Sequence, residues 1–117
     1  MRPTTFELRL ISFILEEDAP ELLNQIANLE VTKRDYTGVG LYVCFGETKE
    51  IATTRLCKRL GINTFMQRND FPYILQVVLE VENGQLDFLE IFSSGGDSFP
   101  DELDGFTLSK FEKVTKH

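Results

Sequence analysis

Histidine, tryptophan and cysteine are scarce in this 117-residue chain, which contains one, none and two of them respectively. The single histidine is His117, the last residue, and chain ends are usually mobile. A histidine general base, a Ser-His or Cys-His nucleophile and a histidine-bound metal are therefore all disfavoured. The cysteines, Cys44 and Cys57, lack the number and spacing of a disulfide framework or a zinc site. We therefore expect two buried thiols in a reducing cytoplasm.

Long apolar runs are missing too. No stretch reaches the roughly 18 apolar residues of a membrane span. Glu7 and Arg9 interrupt the apolar segment near the N-terminus, which makes that segment a poor signal peptide. With 42% hydrophobic residues and ten phenylalanines, the chain is expected to form a single cytoplasmic domain over residues 1–117. A domain of this length can bury enough apolar surface to be stable without a metal or disulfide bonds, and we expect no cofactor.

Residues 6–29 predict helix in two pieces. Apolar residues recur at helical spacing over 10–15, although 6–10 also alternate as a strand would. The second piece, "EEDAPELLNQIANL", has an apolar stripe, with Asp18 as the expected cap and Pro20 in its first turn.

The rest of the chain predicts strands. The clearest signal is a hairpin in which two β-rich runs flank Asn83-Gly84, a dipeptide that suits a tight primed turn. Residues 47–69 leave two alternatives open, a short helix ending at Gly61 or a strand at "EIATTRL". We predict an α+β fold, with N-terminal helices packed on a mostly antiparallel sheet. Its expected strands lie near 30–36, 40–46, 73–82, 86–92 and 106–111.

Two glycine-rich segments could be mistaken for phosphate loops. After Gly38 and Gly40 in "TGVG", the third glycine position of a dinucleotide fingerprint is Val43, and a strand follows where a helix should begin. A turn into a strand is therefore favoured. The segment "SSGGDS" could form an anion-binding nest, but no Lys or Arg accompanies it and Asp97 opposes a phosphate. A loop is favoured there.

The charge is unevenly distributed along the chain. The net charge is −7, yet residues 70–109 contain nine acids and no Lys or Arg, whereas residues 49–68 contain five basic residues and one acid. Solvation is one explanation of the acidic run. The other is a surface that attracts a cationic partner, because clustered carboxylates speed encounter and select partners. Direct nucleic-acid binding is disfavoured, since it depends on Lys and Arg meeting phosphates.

The acids also allow catalytic or metal-binding hypotheses. Paired carboxylates such as Glu80 and Glu90 can hydrolyse glycosides if their spacing and pKa values are right. A calcium site is conceivable, but no spacing matches the EF-hand loop. Both are weaker than the binding hypothesis, because nearly any acidic protein offers such pairs.

Two segments carry a resemblance to known proteins. The first, "RDYTGVGL" at 34–41, matches an R-x-[YF]-T-G-V-G-[FL] pattern within a strand pair. The second, at 83–100, matches an N-G hairpin followed by L-x-x-L-E and a Gly-Asp-x-[WF]-Pro loop. Together with a Leu-rich N-terminal helix, they resemble a group of small bacterial proteins of unassigned activity. Such proteins are similar to the immunity proteins of polymorphic and contact-dependent toxin systems.

The resemblance implies a cytoplasmic protein that binds one toxin domain and blocks it, and it supplies no catalytic residue. We therefore predict an interaction protein, not an enzyme, that neutralises a basic toxin domain such as a nuclease. A small carboxylate-based hydrolase and a ligand-sensing accessory module are the alternatives. The predicted partner-binding residues are the acids Glu80, Glu82, Asp87, Glu90, Asp97, Asp101, Glu102 and Asp104, with Phe99 as an apolar anchor beside them.

Overall fold

Two helices begin the chain in the computed structural model, which describes residues 1–47, 57–96 and 98–111. Helix α1 (Thr5–Asp18) is followed by a 3-10 helix (Pro20–Asn28). Thr4 caps α1 through a reciprocal capping box, in which its hydroxyl accepts from the Glu7 amide and its own amide donates to the Glu7 carboxylate. The two predicted helical pieces are confirmed, and the second has 3-10 geometry.

The predicted cap of the second helix is wrong. Its N-cap is Ala19, which makes no side-chain cap hydrogen bond. Asp18 instead ends α1, and its carboxylate accepts a 2.9 Å hydrogen bond from the Gly61 amide, 43 residues away. The side chain that suits a local cap is therefore used to tie a later turn to the helix.

Within the described residues, seven strands form one antiparallel sheet in the order β1-β2-β6-β5-β4-β7, with β3 also pairing with β5. The long strand β5 is thus bordered by β6 on one side and by β3 and β4, one after the other, on the second. The strands are β1 Val31–Tyr36, β2 Gly40–Phe45, β3 Lys58–Leu60, β4 Thr64–Arg68, β5 Phe71–Glu82, β6 Gln85–Ser93 and β7 Thr107–Lys110. The predicted α+β class is confirmed.

The helices cover one face of this sheet. Alternate residues of the central strands are fully buried there, Leu75, Val77 and Leu79 among them, and they form one cluster with the apolar side of α1. The residues between them point to the opposite face, which we call the open face. Its half-buried members include Tyr42, Cys44, Phe65, Ile74, Gln76, Val78, Glu80, Phe88, Glu90 and Phe92.

The β5–β6 hairpin has the predicted turn, with Asn83 at φ 51° and Gly84 at φ 74°, both in the left-handed region. Residues 58–60 and 64–68 are strands, so the helix alternative for the segment ending at Gly61 fails where the structure describes it. All of "EIATTRL", residues 50–56, lies outside the described residues, so the strand alternative is not tested. The expectation that both thiols are buried is wrong, since Cys44 is half-exposed and Cys57 is exposed.

None of the helices in the described ranges has the length and hydropathy needed to cross a membrane.

Candidate functional site

The "RDYTGVGL" segment that carries the resemblance has a structural role in this fold. Arg34 on β1 forms a bidentate ion pair with Glu7 of α1, at 2.8 Å from Nε to Oε2 and 2.6 Å from Nη2 to Oε1. The Glu7 side chain is only 3% exposed. These hydrogen bonds, together with the carboxylate charge, raise the pKa of Arg34 despite its partial burial. Arg34 therefore fastens the edge strand to the capped end of α1.

The glycines of this segment build a turn. The Thr37 amide donates to the Gly40 carbonyl at 3.0 Å, and Gly38 has φ 87°. Gly40 begins β2, where a Cβ atom would lie 2.6 Å from the Ile91 carbonyl oxygen of β6. The prediction of a turn into a strand is confirmed, and Gly40 is required by the close approach of two backbones.

The predicted acids fall into two groups, and four of them lie on the β5–β6 hairpin. Glu80 and Glu90 lie on the open face, where Glu80 pairs with Arg59 at 3.1 Å. Glu82 and Asp87 are exposed near the hairpin tip. Asp87 is the extra residue of a β-bulge, because Glu80 pairs with Phe88 while Val81 pairs with Leu86. We call Glu80, Glu82, Asp87 and Glu90 the hairpin acids.

The second group, Asp101, Glu102 and Asp104, lies between β6 and β7, and we call these residues the loop acids. Arg68 of β4 donates to the carbonyls of Glu102 and Asp104 at 3.1 and 2.7 Å, pairs with Asp70, and stacks 4.4 Å from the Phe106 ring. The three loop carboxylates are exposed and make no ion pair or hydrogen bond with any residue that the structure describes. Asp97 lies outside the described residues.

Phe99 is half-buried and packs against the core rather than projecting from the loop. It lines a shallow pocket with Phe71, Pro100 and the Arg68 side chain. The Tyr73 ring, 40% exposed, packs closely against the Gly95 backbone near the start of the same loop.

The two acid groups do not form one surface. The hairpin acids extend toward the Glu82 end of β5, whereas the loop acids lie beside Arg68, which pairs with Phe71 at the other end. Twelve strand residues separate these ends by roughly 35 Å. The groups also differ in their surroundings, because the hairpin acids adjoin the basic strand β3, whereas Arg68 contacts the loop acids through the backbone carbonyls of Glu102 and Asp104.

An aromatic cluster on the open face was missed from the sequence. Tyr42 and Phe88 lie with ring centroids 6.0 Å apart, and Phe92 follows Phe88 on the same side of β6. The signal was present in the alternation of "FLEIF", where phenylalanines bracket Glu90 on the face that does not enter the core.

The Tyr42 hydroxyl donates a hydrogen bond to Glu90 across the β2–β6 pair. This bond and the carboxylate charge raise the pKa of Tyr42 above its usual value, because both favour the neutral phenol. Glu90 thus has the strand hydrogen bond expected of a structural carboxylate, and it contributes charge to the open face as well.

Glu90→Gln is expected to bring the pKa of Tyr42 back toward the usual phenol value, because the amide removes the charge that opposes ionisation. Since the raised pKa belongs to the folded state, its stabilising effect is present below the unfolded pKa and is lost as pH rises through the folded one. Absorbance titration at 295 nm in a Tyr36→Phe, Tyr73→Phe background isolates Tyr42. An unchanged titration after Glu90→Gln would contradict the assigned bond.

No family model, curated protein or solved structure matches this chain. Within residues 1–47, 57–96 and 98–111, no three His, Cys, Asp or Glu side chains come together as metal ligands would. The exposed surfaces of the described residues are therefore the basis for inferring function.

Proposed function

We propose that this protein is a cytoplasmic immunity protein that binds and neutralises a basic bacterial toxin domain. The observation that carries the proposal is the state of the loop acids, whose exposed carboxylates pair with none of the described residues while Arg68 holds their backbone in place. Carboxylates on a fixed loop lose little conformational freedom when a partner binds, so more of their attraction contributes to affinity.

The charge of the partner follows from the charge of the loop. Asp101, Glu102 and Asp104 lie close together in a segment without any Lys or Arg. Such a group repels nucleic acid and attracts a cationic protein surface. Toxin domains that cleave nucleic acids must be cationic to hold phosphates, so an acidic inhibitor can cover their substrate site. A nuclease is the class of toxin that this surface fits best.

The hydrolase alternative expects two facing carboxylates in a concave pocket. Glu80 and Glu90, one pair it could use, lie on the open face of a sheet. Each already has a partner, Arg59 for Glu80 and the Tyr42 hydroxyl for Glu90. This arrangement gives no support to a hydrolase that uses Glu80 and Glu90, and the binding role is the better explanation of these two residues. Asp101 and Glu102 line the shallow pocket beside Phe99, but they are consecutive residues of one exposed loop segment.

Reversing the loop acids to Lys is expected to slow association with the cognate basic toxin domain by about tenfold or more at low salt. The variant is Asp101→Lys, Glu102→Lys, Asp104→Lys, and stopped-flow or surface plasmon resonance measures the rate. The backbone carbonyls that Arg68 binds are retained, so the fold should be unchanged. Added salt should lower the association rate of the wild-type protein toward that of the variant.

A matched triple variant, Glu16→Lys, Glu21→Lys, Glu30→Lys, changes the net charge equally at exposed positions on other parts of the surface. It should retain most of the wild-type association rate. If both triple variants lose affinity equally, net charge alone governs binding and the loop is not the contact. If neither changes it, the proposal that the loop acids meet the toxin is wrong.

A further inference from the structure

Four side chains on the open face form a compact group of two rings and two carboxylates. The sheet register places Glu80 directly opposite Phe88, and Tyr42 directly opposite Glu90. Phe88 and Glu90 are two residues apart on β6, so both project from the same side of that strand. All four side chains are half-buried. The Phe88 ring is therefore bordered by a carboxylate across the strand pair and by a second one along its own strand.

We propose that this group, which we call the ring-carboxylate site, binds an arginine side chain of a protein partner. A guanidinium is planar and weakly hydrated, so it can lie on an aromatic ring while its N–H groups reach a carboxylate at the ring edge. Phe88 offers the ring, and Glu80 and Glu90 lie on two sides of it. A lysine ammonium can pair with either carboxylate, but it cannot stack and donate in a plane at the same time.

The chain itself provides an arginine at the edge of this site. Arg59 of β3 is the direct cross-strand neighbour of Glu80, and its Nε lies 3.1 Å from the Glu80 Oε2 atom. The Arg59 side chain is 72% exposed, so solvent screens the pair and another guanidinium can compete with it. Glu90 accepts from the Tyr42 hydroxyl, which leaves carboxylate lone pairs available for an incoming donor.

Charge complementarity favours an arginine side chain over a purely apolar surface as the occupant of the ring-carboxylate site. An apolar partner would strip water from Glu80 and Glu90 without replacing their hydrogen bonds, which is unfavourable. A guanidinium satisfies both the ring and the acids. This inference agrees with the proposed function in the sign of the partner's charge. It uses a different surface, however, and does not depend on the partner being a toxin.

The probe for this site is a pair of peptides of equal length and charge, one alternating glycine with arginine and the other glycine with lysine. Titration is followed by amide ¹H-¹⁵N NMR shifts. The arginine peptide is expected to shift the amides of Tyr42, Phe88 and Glu90 and to bind roughly threefold or more tightly than the lysine peptide. Equal affinity of the two peptides would overturn the proposal, because simple charge attraction does not distinguish them.

Two pairs of variants locate the site. Phe88→Leu should weaken arginine-peptide binding roughly threefold. Phe92→Leu, the same change on the same face, should matter less because its cross-strand neighbours are Gly40 and Gln76. Arg59→Gln frees Glu80 and should strengthen binding more than Lys58→Gln, which removes the same charge one residue earlier on β3. Equal effects within either pair would overturn the assignment.

Analytical ultracentrifugation tests the competing occupant. If the protein dimerises and Phe88→Leu dissociates the dimer, a second copy covers the open face and the arginine proposal is wrong; a monomer supports it. The loop triple variant should still show the arginine-peptide shifts at Tyr42, Phe88 and Glu90. That result keeps the two proposals separable, since each can fail without the other.

Discussion

Arg34→Ala is expected to lower the free energy of unfolding by about 3 kcal/mol, because it leaves the Glu7 carboxylate buried without its partner. The Glu7 side chain is 3% exposed and accepts two hydrogen bonds from Arg34. After the substitution the carboxylate must stay desolvated or become protonated, and either costs stability. Its one remaining hydrogen bond is from the Thr4 amide in the capping box.

Urea denaturation measures the loss, and the transition should move without a change in slope if the fold is retained. Lys33→Ala is the matched control, because Lys33 is an exposed cation one residue earlier on β1. It should change stability by no more than about 0.5 kcal/mol. Replacing the pair by apolar residues, Glu7→Leu with Arg34→Met, should recover part of the loss because no charge is then buried. An Arg34→Ala loss as small as that of Lys33→Ala would show that water compensates Glu7.

The raised pKa of Arg34 sets the pH range of this stabilisation. A basic group whose folded pKa is raised contributes fully below its unfolded pKa and loses the contribution only as pH rises through the folded value. For a guanidinium that range lies far into alkali. Mild alkaline conditions should therefore leave the Arg34 contribution intact, and the difference between wild type and Arg34→Ala should be constant from neutral pH upward to about pH 10.

Local sequence patterns were sufficient to predict the elements of the fold whose pairing partners are near in the chain. The hairpin was predictable because Asn83-Gly84 can adopt positive φ and the flanking residues alternate between the two faces. The edge position of β1 was predictable from its weak apolar character, and it is the end of the strand order. In both cases the chemistry of a short segment determines its environment.

Features that depend on partners distant in the chain could not be predicted from local sequence patterns. Asp18 carries a good local capping side chain, yet it binds the Gly61 amide, because the packing of α1 on β3 brings that turn to the helix end. The short strands β3 and β4 have little pattern of their own and exist because β5 is long enough to pair with both. Their structure is determined by the strand beside them.

The arrangement of the acidic run in space also depends on distant partners. Residues 70–109 are continuous in sequence, but β5 and β6 carry the hairpin acids toward one end of the sheet while the following loop returns to the other. The Arg59–Glu80 pair adds basic charge to the first group alone. Net charge along a chain therefore does not determine whether its acids share one surface, and here register and topology divide them between the two ends of the sheet.

Gly40→Ala is expected to destabilise the protein by about 3 kcal/mol, because the new methyl group has no room. A Cβ atom at this position would lie 2.6 Å from the Ile91 carbonyl oxygen and 3.4 Å from Phe92 Cα, both on the β6 backbone. Backbone atoms of a paired strand cannot move aside as a flexible side chain can. The β2–β6 pair must therefore separate locally, and the hydrogen bonds around Gly40 weaken with it.

Gly38→Ala is the control that separates space from backbone conformation. Gly38 has φ 87° and nothing within 4 Å of its hypothetical Cβ, so only the left-handed strain opposes the change, at about 1 kcal/mol. Hydrogen exchange should show faster opening of β2 and β6 amides in Gly40→Ala than in Gly38→Ala. A larger loss of stability in Gly38→Ala than in Gly40→Ala would mean that the segment needs its glycines for the turn conformation and not for the close approach of β2 and β6. We expect Gly40→Ala to cost more stability than Gly38→Ala. The close contact between β2 and β6 is then the main reason for the second glycine in "TGVG".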